Sequence, residues 1–448
     1  MIDWEKEGAE AAARLGAMLR FDTTNPPGNE LPLVEWLAES VRGEGLDAEV
    51  IESAASRGNL AVRMKGSGKE RPLLFLSHLD VVPAEPARWT HPPFEGTIAD
   101  GHVWGRGAID SKLTGATQLQ ALLMAHRAGL ALERDLVLVA AADEELGGVH
   151  GVRWLAQHRP DLFDAEYGIN EAGGFAVEIG GHPVYLCQVG EKGSAPIDLV
   201  GRGRPGHSSV PHNDNPIVDL GVALSRMEGT KLSHQPPASV RAFFEEAAKI
   251  HPDEQTAAHL QACLDPKRAD EAIEALDAPQ ATRLMLDAML RNTCAPTMLS
   301  AGLKRNVIPS DARAALSGRP LPGVTEEEFI SEVRALVGDA VEIELTGEFH
   351  PGVEFDHETP LYDFIAASTR KYEPDAIVVP YMQTGGTDAR FLKHLDIAIH
   401  GYIPMRYEAG MDFFELCHGH DERVSTTNVT FAVQILYDLV LRLNGLLE

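Results

Sequence analysis

The sequence has little cysteine, few cations and no long apolar run. Its four cysteines are far apart and form no C-x-x-C pair, which argues against a disulfide framework or a cysteine-based zinc site. Lysine and arginine number 39 against 67 aspartates and glutamates, a net charge of −28, which argues against nucleic acid or an anionic membrane as a partner. No apolar stretch reaches the roughly 18 residues of a membrane-spanning helix. Any metal site must therefore use histidine, aspartate and glutamate.

The N-terminal stretch MIDWEKEGAEAAARLGAMLR mixes acids into an amphipathic helical pattern. It lacks the basic-then-apolar order of a secretory leader, so we expect a cytoplasmic protein. With 448 residues, 44% of them hydrophobic and 24% charged, the chain has the composition of a globular protein and is too long for one ordinary core. Two domains are therefore expected.

Apolar runs alternate with helical patterns in the first part of the chain. RPLLFLSHLDVVPA and DLVLVAAADEELGG are patterns of buried strands, and LTGATQLQALLMAHRAGL between them has helical period. This alternation predicts an α/β fold with a mostly parallel sheet sandwiched by helices. In such folds, sites form beyond the carboxyl ends of the strands.

The pattern changes near Gly190. APIDLVGRGRPGHSSVP alternates like an exposed strand, TMLSAGLKRNVIPSDARAALSGRPLPG is hairpin-like, and residues 230–292 are helical without strand patterns. Helix and strand alternate again from His350 onwards. We therefore predict a catalytic domain of residues 1–191 and 349–448, interrupted by an inserted α+β domain of residues 192–348 with an antiparallel sheet plus helices.

Acids and histidines occur where predicted strands end and in adjoining loops. They are His78 and Asp80 in SHLDVVP, Asp110 in GRGAIDSK, Glu144 and Glu145 in DEELGG, Glu171 in NEAGG, and His418 in CHGHDE. Each alone has an ordinary structural explanation, since a strand-terminal acid often caps a helix and a single histidine is more often structural than a ligand. Converging on one sheet edge, they would repel and become protonated unless positive charge compensated them.

Two divalent cations supply that compensation. Asp110, Glu145 and Glu171 carry three negative charges against the four positive charges of two cations. Nitrogen and oxygen donors suit zinc, with cobalt or manganese as substitutes. Because successive strand residues face opposite sides, we expect Glu144 and Glu145 to divide the work, one binding metal and the other facing substrate.

These motifs give the sequence a resemblance to a known family. In order they are SHLDVVP, GRGAIDSK, DEELGG, NEAGG, GRGRPGHSS, NVIPSDARAALSGRPLPG, TGGTDARF and HGHDE. Across nearly the whole chain, the sequence resembles the two-zinc amidohydrolases and exopeptidases, which include aminoacylase, acetylornithine deacetylase, succinyl-diaminopimelate desuccinylase, carnosinase, glutamate carboxypeptidase and carboxypeptidase S. GEKG, GHSSVP and the long helical insert make it most similar to the carboxypeptidase S-like branch.

The resemblance implies a set of metal ligands. His78 and Glu171 would bind the first metal, Asp110 would bridge both metals, and Glu145 with His418 would complete the second. The family pattern of His, two residues, Asn or Asp, then Glu selects His418 rather than His420. Asp80 would orient the His78 imidazole. The bond between Asp110 and Ser111 is expected to be cis, as in relatives.

The resemblance also implies a mechanism. A water shared by two zinc ions would ionise near neutral pH, and Glu144 would take its proton and pass it to the leaving amine as general base and then general acid. His207 of GHSS would stabilise the oxyanion from the partner subunit of a homodimer. A serine-rich helix start is the ordinary alternative for this stretch.

Substrate-binding elements are implied in the same way. Arg319 in SGRPLPG and the turn Gly385, Gly386, Thr387 resemble elements that bind a carboxylate, with Asn306 near them. Arginine offers a planar fork for a carboxylate, and glycines let backbone N–H groups approach it. A surface arginine and a plain turn are the ordinary alternatives. The family usually has an acid two residues before this arginine, where this chain has Ser317.

The sequence thus predicts a zinc-dependent hydrolase that cleaves an amide bond next to a free carboxylate in a small peptide, with the inserted domain as lid and dimer surface. A deacylase of N-acyl amino acids is the alternative among hydrolases. A metal-binding scaffold without activity is the alternative from another class, and it predicts a damaged ligand set, which is not seen. A nucleotide-dependent transferase is suggested only by GRGRPG, which lacks the lysine and serine or threonine of a phosphate loop.

Overall fold

The computed structural model describes residues 2–411 and 413–447. The α-helices of these residues, α1 to α13 in chain order, are Trp4–Leu19, Leu31–Gly43, Lys112–Arg127, Val152–His158, Pro216–Met227, Ala238–Ile250, Glu254–Ala262, Ala269–Ala275, Gln280–Met289, Glu326–Val337, Pro360–Tyr372, Phe413–Leu416 and Thr426–Leu443. None of these helices combines the length and apolar character that crossing a bilayer requires.

The strands, β1 to β19 in chain order, form one large sheet and several smaller ones. They are Ala48–Ala54, Arg57–Met64, Leu73–His78, Thr97–Ala99, His102–Trp104, Leu136–Ala141, Tyr167–Asn170, Ala176–Ile179, His182–Glu191, Ala195–Arg202, Gly206–His207, Thr293–Ala301, Val307–Ile308, Asp311–Arg319, Glu342–Leu345, Val353–Glu354, Ile377–Gln383, Ala398–Gly401 and Arg423–Ser425.

The large sheet has the order β1-β2-β6-β3-β7-β18-β9-β16, with β17 and β8 pairing to β9. Its central strands β6, β3, β7 and β18 run parallel. Every residue of β3 and β6 is buried, as expected for strands covered on both faces. The predicted α/β fold is confirmed.

Alternate side chains of the central strands enter different cores. Leu73 and Phe75 of β3 join a cluster that includes residues of α1, α3 and α13. Leu74 and Leu76 join a second cluster on the other face, with residues of α4. The two-residue period of a strand therefore places helices on both faces of the sheet.

A separate antiparallel sheet, β12-β14-β10-β15, shares its own core with α5 and α10. The capping box of Thr325 with Glu328 begins α10. Residues 238–290 are helical, but they belong to the core cluster of the large sheet, and α6 packs on β17. The domain ranges 1–191, 192–348 and 349–448 stay predictions, and these helices join the catalytic side of the molecule.

Candidate active site

Four of the predicted site residues lie where the parallel central strands end. His78 is the last residue of β3, Glu144 and Glu145 follow β6, and Glu171 follows β7 directly. Since β3 lies between β6 and β7, the carboxyl ends of three neighbouring strands meet at one edge. The order of the strands therefore brings together side chains that are far apart in the sequence.

Asp110, on the loop before α3, lies between two imidazoles. Its Oδ1 is 3.1 Å from Nε2 of His78, and its Oδ2 is 3.0 Å from Nε2 of His418. The bond from Asp110 to Ser111 is cis, as expected from the resemblance. His420, the rejected alternative to His418, lies instead 3.8 Å from a carboxylate of the loop after β3. One carboxylate thus faces a different histidine with each oxygen.

A second carboxylate contacts each of these histidines. Oε2 of Glu171 is 3.0 Å from Nε2 of His78, and Oε1 of Glu145 is 3.3 Å from Nε2 of His418. Asp110 is common to both halves of the arrangement. We call the following residues the ligand cluster: His78, Asp110, Glu145, Glu171 and His418.

The spacing of the ligand cluster fits metal ions. Its imidazole nitrogens and carboxylate oxygens are 3.0 to 3.3 Å apart, and two donors each about 2.0–2.1 Å from a tetrahedral zinc lie about 3.4 Å from one another. Three overlapping groups of side chains could each hold an ion: His78 with Asp110 and Glu145, His78 with Glu144 and Glu171, and Asp110 with Cys417 and His418. The thiol of Cys417 lies 3.1 Å from Oδ2 of Asp110, a neighbour that the sequence did not reveal.

The electrostatics of the cluster show a demand for positive charge. Burial, then the charge of Glu171, raises the pKa of Glu144 well above its ordinary value. Burial alone would lower the pKa of His78, but Glu171 and the hydrogen bonds of Asp110 and Asp80 raise it well above normal. Hydrogen bonds to Asp110 and Glu145 raise the pKa of His418 to about 10. Divalent cations meet this demand, because they compensate the acids in place of protons.

Asp80 connects the two halves of the site. Nδ1 of His78 hydrogen-bonds the backbone carbonyl of Asp80 at 3.0 Å, and Oδ1 of the Asp80 carboxylate lies 3.3 Å from the same nitrogen. The carboxylate also accepts the N–H groups of Glu144 and Glu145 at 3.0 and 3.2 Å and the amide of Asn25 at 2.8 Å. The imidazole of one strand end and the glutamate pair of the next are therefore held by a single buried side chain.

The glutamate pair does not continue the strand, contrary to the premise of the sequence argument. β6 ends at Ala141, Asp143 has a φ of 70°, and Glu144–Leu146 form a 3₁₀ turn. The turn, rather than strand alternation, gives the two side chains different neighbours. Glu145 contacts His418, whereas Glu144 groups with His78 and Glu171.

Glu422 supports the loop that carries Asp110, a role that sequence reasoning missed. Its Oε1 accepts the N–H groups of Ile109 and Asp110 at 2.7 and 3.0 Å. Its Oε2 accepts the N–H of Gly107 at 3.0 Å and a guanidinium N–H of Arg106 at 2.7 Å. The only sequence indication was its place in HGHDE, four residues after His418.

A cavity of about 530 Å³ opens onto the cluster. Arg319, Gly385, Gly386 and Thr387, the predicted carboxylate-binding elements, line it together with Glu144. Further lining residues that the sequence argument did not name are Ser194, His350, Gln383, Arg390, Ile403, Met405 and Phe413. The cavity therefore joins the ligand cluster to cationic and apolar surfaces.

His207 and Asn306 lie elsewhere. His207 ends β11 and Asn306 directly precedes β13, the strand paired with β11, and the N–H of Ser208 donates to the carbonyl of Asn306 at 3.2 Å. The His207 side chain is exposed, and its Nδ1 is 2.7 Å from the hydroxyl of Ser209. Neither is among the described residues that line the cavity.

Metal-ligand side chains clustered at the strand ends of an α/β sheet define the class of metal-dependent hydrolases. Comparison with known proteins agrees. Residues 74–442 match the sequence model of peptidase family M20/M25/M40, and the chain belongs to this family.

Individual relatives share moderate sequence identity with this chain. The chain is 28% identical over 382 residues to the N-fatty-acyl-amino acid synthase/hydrolase PM20D1 of Xenopus tropicalis, covering 82% of this chain and 72% of the relative. It is 29% identical over 396 residues to the probable carboxypeptidase S-like 2 of Dictyostelium discoideum, covering 83% of this chain and 71% of the relative.

Solved structures share the fold. An M20 family metallo-carboxypeptidase from Sulfolobus solfataricus superposes with a TM-score of 0.70 at 19% identity, covering 96% of this chain and 98% of the other. Human carnosine dipeptidase 1 superposes with a TM-score of 0.69 at 14% identity, covering 99% of this chain and 97% of the other. The predicted family resemblance is confirmed, and with it the assignment of the chain as a metallopeptidase-family hydrolase.

Proposed function

We propose that this chain is a dinuclear zinc enzyme that hydrolyses an amide bond next to a free carboxylate in small peptides. The observation that carries the proposal is Asp110, whose two oxygens lie 3.1 and 3.0 Å from the imidazoles of His78 and His418. A carboxylate in that position can bridge two cations, and oxygen and nitrogen donors suit zinc. Bound zinc ions would acidify a water and polarise the amide carbonyl.

Glu144 is the proton carrier in this proposal. It lines the cavity, it is not needed to complete either half of the ligand cluster, and its pKa is raised by burial and then by Glu171. A carboxylate with a raised pKa accepts a proton from water and returns it to a leaving nitrogen more readily than an ordinary one. Asp80 holds its backbone N–H at 3.0 Å, which fixes the turn that presents it.

Arg319 and the turn of Gly385, Gly386 and Thr387 would bind the carboxylate of the substrate. All four line the same cavity as Glu144. A guanidinium gives two parallel hydrogen bonds to a carboxylate, and the glycines leave room for the substrate to approach the backbone. The carboxylate would thereby place the scissile amide beside Glu144.

His207 and Asn306 would reach a substrate only from a second copy of the chain, in the proposed homodimer. Support comes from the inserted domain, where β12 is an edge strand whose side chains are largely exposed. Met298 and Leu299 on it are 73% and 68% exposed. An exposed edge with large apolar side chains is a surface that pairs readily with another strand.

A deacylase of N-acyl amino acids is the second candidate. Ile403, Met405 and Phe413 give the cavity an apolar side, and an adjoining cavity shares Met405 and Phe413 with it. That surface would accept an acyl chain as well as a peptide side chain. The Xenopus relative, by its name, acts on N-fatty-acyl amino acids.

The central test is Glu144→Gln. The variant should retain close to two zinc equivalents per chain while kcat falls at least about a hundredfold, because a general base is lost and no ligand is. Glu85→Gln, an exposed glutamate outside the cavity, is the matched control and should keep full activity. Undiminished turnover by Glu144→Gln would show that another group carries the proton.

Substrate panels separate the two candidate reactions. Dipeptides and N-acyl amino acids with the same C-terminal residue should be compared by kcat/KM. Faster hydrolysis of the dipeptides supports the peptidase, and faster hydrolysis of the acylated amino acids supports the deacylase. The cytoplasmic location stays a prediction from the sequence, which fractionation of cells producing the chain would check.

A further inference from the structure

Two arginines line the cavity, and neither has an acidic partner. Arg319 is the last residue of β14, and Arg390 lies in the 3₁₀ turn Asp388–Leu392 that follows β17. Within the described residues, neither guanidinium forms an ion pair or a side-chain hydrogen bond. Other buried arginines of the chain do: Arg57 and Arg106 contact carboxylate oxygens at 2.8 and 2.7 Å. In a chain with 67 acids and 39 cations, two unpaired guanidinium groups in one cavity are conspicuous.

The acids near Arg390 do not neutralise it. Oε2 of Glu191 accepts the N–H and hydroxyl of Thr387 at 2.9 and 2.6 Å, whereas its Oε1 has no hydrogen-bond partner. Both carboxylate oxygens of Asp388 and the Nε of Arg390 are also buried without partners. Burial raises the pKa of Glu191 to about 7 and that of Asp388 well above its ordinary value, and the charge of Arg390 opposes both shifts. Because no carboxylate of the described residues forms an ion pair with Arg390, its guanidinium can bind an anion that enters the cavity.

Arg319 is partly buried and has no acid beside it on its own face of the strand. Ser317, two residues earlier in β14 and on the same face, carries no charge. Burial, and then the charge of Arg390, lowers the pKa of Arg319, while the charge of Glu144 opposes the shift. Two unpaired cations that line one cavity are unfavourable unless anions bind between or beside them.

Arg390 borders the turn that would receive the substrate carboxylate. A Cβ built on Gly386 would lie 2.4 Å from Nη1 of Arg390, so the guanidinium packs directly against the glycine backbone. Gly386 itself lines the cavity, as do Arg319 and Arg390. The second cation is thus placed next to the proposed carboxylate site, and one carboxylate is satisfied by a single bidentate guanidinium.

We propose that Arg390 binds a second carboxylate, so that the preferred substrates carry aspartate or glutamate as the residue that holds the leaving amine. Arg319 binds the α-carboxylate of that residue, and Arg390 binds its side-chain carboxylate. The inference rests on the proposed function, because it takes the amide next to the α-carboxylate as the bond that is cleaved.

The test compares isosteric substrate pairs, Ala-Glu with Ala-Gln and Ala-Asp with Ala-Asn. The native enzyme should favour the acidic member of each pair by at least about tenfold in kcat/KM, in keeping with a charge-assisted contact. Arg390→Met should lower this acid-to-amide ratio at least tenfold. Arg319→Met should lower kcat/KM for both members and leave the ratio in place. Arg88→Met, which removes an exposed arginine outside the cavity, is the control and should change neither.

Equal rates for the acidic and amide substrates in the native enzyme would overturn the proposal. An unchanged acid-to-amide ratio of kcat/KM in Arg390→Met would overturn it too. That result would mean that Arg390 acts on the α-carboxylate, which both substrates share. If Arg390→Met cannot be prepared folded, Arg390→Lys decides, since losing the fork while keeping the charge should still reduce the ratio at least threefold.

A binding measurement separates this inference from the proposed function. Calorimetry with free glutamate and free glutamine on the zinc-loaded native protein needs no turnover. If the enzyme hydrolyses none of the peptides or N-acyl amino acids, the proposed function is refuted. Tighter binding of glutamate than of glutamine, lost in Arg390→Met, would still support the second carboxylate site. No difference between glutamate and glutamine would refute that site.

Discussion

Glu422→Gln offers a direct test of how the loop of Asp110 is held. Glu422 is fully buried and satisfies four donors: the guanidinium of Arg106 and the N–H groups of Gly107, Ile109 and Asp110. Glutamine preserves the shape of the side chain but replaces one acceptor oxygen with a donor. In either orientation of the amide, two of the four donors face an NH₂ group instead of an oxygen.

The expected loss in the free energy of unfolding is large because Arg106 is also buried, at 3% exposure. Removing one partner of a buried ion pair leaves an uncompensated charge and costs about 3–5 kcal/mol. The remaining contacts of Arg106, to the carbonyls of His418 and Gly419 at 3.2 and 3.0 Å, keep the guanidinium in place and hold the loss within that range. Displacement of Asp110 should also weaken zinc binding by about 10–100-fold, as for other groups that orient ligands.

Denaturant unfolding in the presence of chelator measures the first effect without the contribution of metal, and zinc titration of the folded protein measures the second. Glu85→Gln is the matched control, since its exposed pair with Arg88 is worth less than about 1 kcal/mol. A loss of less than about 1 kcal/mol for Glu422→Gln would refute the reasoning, because the carboxylate would then not be balancing Arg106.

Three further predictions concern pH, packing and metal. Burial lowers the pKa of His400 to about 4, whereas the unfolded chain binds this proton from roughly pH 6.5 downwards. The free energy of unfolding should therefore fall by about 3 kcal/mol between pH 7 and 4. His400→Gln should reduce this pH dependence, as measured by denaturant titrations. A Cβ on Gly151 would lie 1.7 Å from the carbonyl oxygen of Ala142, so Gly151→Ala should lower the free energy of unfolding by at least about 1–3 kcal/mol. Gly221→Ala, with nothing within 4 Å, should instead raise it by about 0.5–1 kcal/mol. Zinc at a hundred times its Kd should add about 2.7 kcal/mol to metal-free protein, and an unchanged calorimetric unfolding transition would contradict the ligand cluster.

The features visible in the sequence were those set by local pattern. The apolar runs of β3 and β6 identify buried parallel strands, and their polar ends identify the edge where His78 and Glu144 lie. Family motifs identify further residues such as Asp110 and His418. The spacing of a motif can be read from the sequence even where the contacts of its residues cannot.

Contacts between distant segments could not be predicted. Asp80 binds the backbone of Glu144, 64 residues away, and Glu422 binds that of Asp110, 312 residues away, and no local pattern encodes such pairings. The positive φ of Asp143 ended the strand earlier than alternation implied. Arg390 went unnoticed because an arginine in a loop is ordinary until its lack of an acidic partner is seen.

The wide separation of the site residues along the chain has a consequence for synthesis. Four members of the ligand cluster have been synthesised by residue 171, whereas His418, and Glu422, which accepts the N–H of Asp110, are synthesised only much later. A nascent chain can therefore offer one nearly complete cation position early, but the other only after residue 418 has been made. Metal uptake at the later position would then report that translation has passed residue 418 and that the early and late strands of the large sheet have paired.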